Sequence, residues 1–297
     1  MNVLAQVRGV SRRFGSFTAV HPTDLAIAEG EVVGLLGANG AGKTTLIRLL
    51  LGLLEPSAGV VRLFGAAPSV AGRRRVGYLP QTLGLYLDLT VAENWRFTAS
   101  AFGNVAATMP ENIRAWSDQL VSDLPLGGQR QVAFGVALSH QPELLVLDEP
   151  TSGVGPLAAA RLWEDIRLAA QYGAGVLVTT HNMEEAQECD RLVVMADGLV
   201  VTSGTAADII GDHTVVEVRC GDGRDGSWRR AFALLDGNGF VVQMDGQALR
   251  AAGDDEAVRD LLRGGGIDAV VEAVTANLEE AFVAIVSARD AFRPPAA

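Results

Sequence analysis

Three short runs of apolar residues, Val32–Leu36, Leu144–Leu147 and the "GVLVTT" segment from Gly175 to Thr180, stand out along the first two thirds of the chain. Each is too short for an ordinary helix and lacks the alternation of a half-exposed strand, so each reads as a strand buried on both faces of a parallel sheet. Apolar residues at helical spacing lie between them, as in "LIRLLLGLL" from Leu46. In "VAENWRFTASAF", Thr90 ahead of it and Glu93 form the capping-box pattern that opens a helix. Strands alternating with helices predict an α/β domain.

The pattern changes after the turn-rich "SGTAADIIGDHT", which puts a boundary between residues 1–212 and 213–297. Strand-like "TVVEVRC", helical "SWRRAFALLD", a hairpin around Asp245-Gly246, helical "DDEAVRDLLRGGG" and alternating "IDAVVEAV" predict a small βαββαβ sheet, an α+β unit of ferredoxin-like type.

Composition narrows the possibilities. With 297 residues, 48% of them hydrophobic, the chain can bury a large core and a smaller one beside it. No apolar stretch reaches the roughly 18 residues of a membrane span and no leader pattern opens the sequence, so a soluble chain is expected, with any membrane role borrowed from a partner. The net charge of −11 is shared, with 15 basic and 21 acidic residues in 1–212 and 9 and 14 in 213–297. Neither part offers a basic face for nucleic acid. Cys189 and Cys220 form no metal-spaced pair and read as small buried hydrophobes in a reducing compartment.

The chemistry begins where Val32–Leu36 ends. Gly37-Ala38-Asn39-Gly40-Ala41-Gly42-Lys43-Thr44-Thr45 follows the strand and opens a helix, the setting that a phosphate-binding P-loop requires. Glycines let backbone N–H groups converge on phosphate oxygens, Thr44 can bind magnesium, and the helix adds its positive end. Lys43 is the only lysine among 24 basic residues. A compact ammonium kept where every other cation is arginine points to a role that a guanidinium fork cannot fill. Asp148 ends the second buried strand, where open α/β sheets bind ligands, and is placed to hold magnesium. Glu149 beside it is the candidate base for an attacking water. The third strand brings His181 to the same edge, whereas His21, His140 and His213 have no such context.

With these residues in register, residues 3–210 resemble the nucleotide-binding subunit of ATP-binding-cassette (ABC) transporters. The resemblance implies a P-loop NTPase cassette of mixed sheet and helices, with a short helical subdomain over about residues 82–140, and ATP and Mg2+ as cofactors. It makes Phe14 in "RRFG" the adenine-stacking aromatic. Gln81 in "VGYLPQ" becomes a magnesium contact and catalytic group, and His181 the switch histidine. It also implies a membrane permease of roughly six spans, each about 20 apolar residues long, that docks near "LGLYLDL". The chain would then be peripheral on the cytoplasmic face of the membrane. The ending "TANLEEAFVAIV" resembles the C-terminal extension of the branch that exports drugs and antibiotics.

In this family two cassettes close head to tail, and a signature turn, usually Leu-Ser-Gly-Gly-Gln, caps the partner's ATP. Here Leu124-Pro125-Leu126-Gly127-Gly128 occupies those positions, so the hydroxyl donor is gone, while the N–H groups of Gly127, Gly128 and Gln129 are expected to face an anion. Gly155 stands where the family usually has an aspartate. Both changes affect what the chain lends to its partner, which favours a heterodimer with a different cassette over a homodimer. Two alternatives stay open: a regulatory ATP-binding module of low turnover, and a soluble ABC ATPase outside any transporter.

Overall fold

Two long strands, β1 (Val3–Phe14) and β2 (Phe17–Ala28), form an antiparallel hairpin that closes with Phe14 opposite Phe17. Its register slips at several points along β1. After β3 (Val32–Leu36) and α1 (Lys43–Leu50), strand β4 (Ala58–Leu63) pairs with β1 and completes a three-stranded sheet in the order β2-β1-β4. This computed structural model describes residues 2–103, 108–221 and 226–290.

The next elements are α2 (Val70–Arg73), β5 (Val76–Leu79), α3 (Val91–Phe102), α4 (Glu111–Arg114), α5 (Leu126–Leu138) and β6 (Leu144–Asp148). They are followed by α6 (Pro156–Gln171), β7 (Gly175–Thr180), α7 (Met183–Gln187), β8 (Arg191–Ala196) and β9 (Leu199–Gly204). The six-stranded sheet runs β5-β6-β7-β3-β8-β9 and is parallel except for the β8–β9 pair. Every residue of β3, β6 and β7 is buried, which is why these strands show as unbroken apolar runs in the sequence. Because β5, β6, β7 and β3 are neighbours and parallel, the segments after their carboxyl ends meet at one edge.

α3, α4 and α5 share a core of Val91, Trp95, Ile113, Val121, Leu124, Val132 and Val136. α3 starts at the capping box read from the sequence: Thr90 Oγ1 accepts the Glu93 N–H at 3.2 Å, and the Glu93 carboxylate accepts the Thr90 N–H at 2.8 Å. The short helix α4 lies between α3 and α5, and residues 104–107 are outside the described residues.

The compact units are Met1–Thr205 and Ala206–Ala297, so the division falls seven residues before the boundary expected at 212/213. The second unit opens with α8 (Ala206–Ile210) and continues through β10 (Thr214–Arg219), α9 (Ser227–Gly237), β11 (Val242–Asp245), β12 (Ala248–Ala251), α10 (Asp255–Gly264), β13 (Val270–Thr275) and α11 (Leu278–Asp290). Its antiparallel sheet runs β11-β12-β10-β13. β10 shows strand alternation directly: Val216 and Val218 join the core with α9 and α10, whereas Val215 packs with Ala276 and Ala281. On the Val215 face, Arg250 bonds Glu280 at 2.7 Å and approaches Glu217 at 3.5 Å.

Candidate active site

The turn between β3 and α1 is shaped by what its glycines avoid. A side chain at Gly37 would collide with the Met195 carbonyl, and one at Gly42, where φ is 99°, would meet the Ala19 carbonyl at 2.6 Å. Only glycine fits both positions, so the chain from Gly37 to Thr45 is pressed against β8 and curls over the helix start. Gly42 is the N-cap of α1 and supplies no side-chain acceptor, which leaves the first N–H groups of the helix open to the cleft.

Lys43 is 5% exposed and donates to the carbonyls of Gly37 at 2.6 Å and Ala38 at 3.1 Å. An ammonium has three donors, so one hydrogen remains for a ligand. Burial pushes its pKa below the ordinary lysine value, against the opposing pull of Glu149 and Asp148.

Asp148, 1% exposed, accepts the Thr44 hydroxyl on Oδ2 at 2.8 Å and the Thr179 hydroxyl on Oδ1 at 2.7 Å. Glu149 follows at φ 52°, a left-handed conformation that costs a residue with a Cβ about 1–2 kcal/mol. Thr179 Oγ1 holds it there by accepting its N–H at 2.8 Å. Around the Glu149 carboxylate stand Gln81 Nε2 at 3.4 Å and His181 Nδ1 at 3.7 Å. Thus Gln81, Asp148, Glu149 and His181, which come from the ends of three neighbouring strands, β5, β6 and β7, converge on the phosphate turn.

Among the described residues no three His, Cys, Asp or Glu side chains cluster as a metal cage. One carboxylate with a bonded hydroxyl, and the Gln81 amide nearby, instead suits a hard cation such as Mg2+, which takes few protein oxygens and completes its shell with water and phosphate.

A cleft of about 260 Å³ is lined by Asn39, Gly40, Ala41, Gly42, Lys43, Thr44, Thr45, Gln81 and Glu149 together with Phe17 and Ala19. Phe14 is not among its walls, and its ring instead carries the Arg12 guanidinium 4.6 Å above it. Phe17, 65% exposed, lines the cleft instead.

Sequence reasoning also missed Glu185, whose carboxylate accepts the hydroxyls of Thr151 at 2.5 Å and Thr180 at 2.7 Å and so ties the segment after Glu149 to the segment before His181. The signal lay in "HNMEEA", but nothing local says which glutamate turns inward.

At the start of α5, Pro125 is the N-cap and offers no side-chain acceptor. The Gln129 N–H is not free: it donates to the Pro125 carbonyl at 3.0 Å as the first bond of the helix. This corrects the expectation that it faces an anion, and leaves Gly127 and Gly128 as the backbone donors of that turn. Gly155 is the N-cap of α6, and nothing lies within 4 Å of where its Cβ would be.

Comparison with known proteins gives a consistent result. The family model described as "ABC transporter" matches residues 20–152. The Nod factor export ATP-binding protein I of Mesorhizobium japonicum is 33% identical over 299 residues, which cover 95% of this chain and 86% of that protein. The probable multidrug ABC transporter ATP-binding protein YbhF of Escherichia coli is 36% identical over 216 residues, 69% of this chain but only 37% of that protein's length. Among solved structures, an ATP-binding subunit of an ABC transporter superposes with a TM-score of 0.64 at 31% identity, covering 69% of this chain and 91% of that one.

Proposed function

Because this chain belongs to the family of ABC transporter ATP-binding proteins, we propose that it binds ATP with Mg2+ and hydrolyses it to power an exporter of drugs or other small molecules. The observation that carries this reading is the convergence of Lys43, Asp148, Glu149 and His181 beside an open helix N-terminus. The phosphates would lie on the N–H groups from Gly40 to Thr45 with Lys43 as counter-charge. Thr44, Asp148 and Gln81 would hold the metal, whose positive charge offsets that of the phosphate oxygens. Glu149 would accept the proton of the attacking water, His181 would steady the γ-phosphate, and Phe17 would cover the base in place of Phe14.

The cleft of about 260 Å³ falls below the roughly 300 Å³ at which pockets for drug-sized ligands begin. It therefore suits part of a nucleotide and leaves the rest to another surface. We assign that surface to the Gly127-Gly128 turn of a second cassette, and the exposed Tyr86 and Leu87 to contact with a permease at the cytoplasmic face of a membrane. Among the described residues no helix is long and apolar enough to cross a membrane. Pro125, Leu126 and Gly155 favour a partner cassette different from this one. The strand order of the second unit, with its two crossover helices, supports assigning it to the ferredoxin-like class.

Glu149→Gln tests the reading. The variant should bind labelled ATP within about threefold of the parent, hydrolyse it about a hundredfold or more slowly, and accumulate as an ATP-bound dimer on size exclusion. Undiminished hydrolysis would remove Glu149 from the role of base.

A further inference from the structure

Leu126 and Arg130, four residues apart, share one face of α5. That face looks at the turn after Glu149, because a Cβ at Gly153 would meet Leu126 Cδ2 at 2.5 Å and one at Gly127 would meet Val154 Cγ1 at 4.0 Å. Arg130 is 5% exposed, and its Nε and Nη1 have no hydrogen-bond partner. A guanidinium does not shed its proton, so this is a charge kept out of water with two of its donor atoms idle. An apolar side chain of similar length would fill the space at less cost. Burial weakens its hold on the proton, and the charges that act against this are Glu149 and then Asp148. The other charged or titratable groups around Glu149 are Lys43 from the phosphate turn and His181 after β7.

We propose that Arg130 is a positioning residue for the hydrolytic site of its own chain, whose idle Nε–H and Nη1–H engage the Asp148–Val154 turn and the Glu149 carboxylate once nucleotide is bound. Its fork fixes which way the carboxylate faces. The empty site stores these donors; the loaded site uses them. This inference rests on the ATPase reading above.

The experiment uses the full chain with Arg130→Met and Arg130→Lys, alongside Lys43→Ala as the marker of specific hydrolysis. In Arg130→Met the nucleotide-free Tm should hold or rise, since an unpaired buried charge has gone, while the Tm gain on adding Mg-ATP shrinks. Hydrolysis should fall about tenfold or more, with KM for ATP changed less than about threefold. Arg130→Lys, which keeps the charge but loses the planar fork, should recover only part of the lost rate. A large fall in the nucleotide-free Tm, with an unchanged Mg-ATP increment, would show Arg130 to be a structural residue and overturn the proposal. So would Lys43-dependent hydrolysis by Arg130→Met at the parent rate. Absence of any Lys43-dependent hydrolysis would overturn the ATPase reading, and this inference with it.

Discussion

Thr179→Val isolates one hydroxyl that serves both acidic residues of the site. Thr179 is 0% exposed, donates to Asp148 Oδ1 at 2.7 Å and accepts the Glu149 N–H at 2.8 Å. Valine keeps the shape and the β-branching that suits β7, so packing and strand preference change little and polar pairing changes most. The lost bond to a carboxylate is worth about 1.5–3 kcal/mol and the lost bond to a backbone N–H about 1 kcal/mol, which together give about 2.5–4 kcal/mol. At about 2–4 °C per kcal/mol for a domain of this size, Tm should drop by roughly 5–16 °C. Urea unfolding of the nucleotide-free chain should show the same loss through its midpoint, with the slope unchanged. Glu149 also loses the bond that holds its left-handed backbone, so hydrolysis should suffer more than ATP binding. A stability loss under about 0.5 kcal/mol, half of one ordinary hydrogen bond, together with undiminished hydrolysis would refute the reasoning.

Two further outcomes are expected. Phe17→Ala should weaken equilibrium binding of labelled ATP by roughly fivefold to a hundredfold, the loss of one base–aromatic stack, whereas Phe14→Ala should change it less than about twofold; the reverse ranking would return the base to Phe14. Because burial lowers the pKa of Lys43 in the empty site, ATP affinity should fall with rising pH below 10.5, where a solvated lysine would still be charged. Over that window the unfolded chain binds the extra proton, so nucleotide-free stability should rise with pH on account of this group. Titration calorimetry and thermal melts across pH 8 to 10 would check both signs.

Much of the sheet could be read from the sequence because complete burial leaves a simple signature. β3 and β7 begin and end where their apolar runs do, and β6 extends its run by one residue to Asp148. α3 spans Val91–Phe102 because its capping box and its αL glycine at Gly103 are both local signals. The hairpin at Asp245-Gly246 closes with Asp245 opposite Ala248, again through local turn chemistry. β1 and β2 escaped detection because register slips break the alternation on which a period of two depends. Phe14 and Phe17 are paired across the hairpin end, and Phe17 lines the cleft, a difference that depends on strand register and that no local sequence signal announces. Arg130 and Glu185 look like surface charges in sequence, and only tertiary packing turns them inward. α8 belongs with the second unit because it packs on α11, far away in the chain, which no linker composition can announce.

A chain with a single lysine, and that one sealed at 5% exposure beneath the phosphate turn, has almost no surface amines. Acylating reagents, aldehyde fixatives and amine-coupled supports meet only the N-terminal amine and Lys43, so conventional immobilisation would hold the molecule by one end or disable its cleft. The same scarcity makes Lys43 a built-in probe: the extent to which an amine-reactive label attaches there reads out how much of the population has an open nucleotide cleft, without any engineered tag.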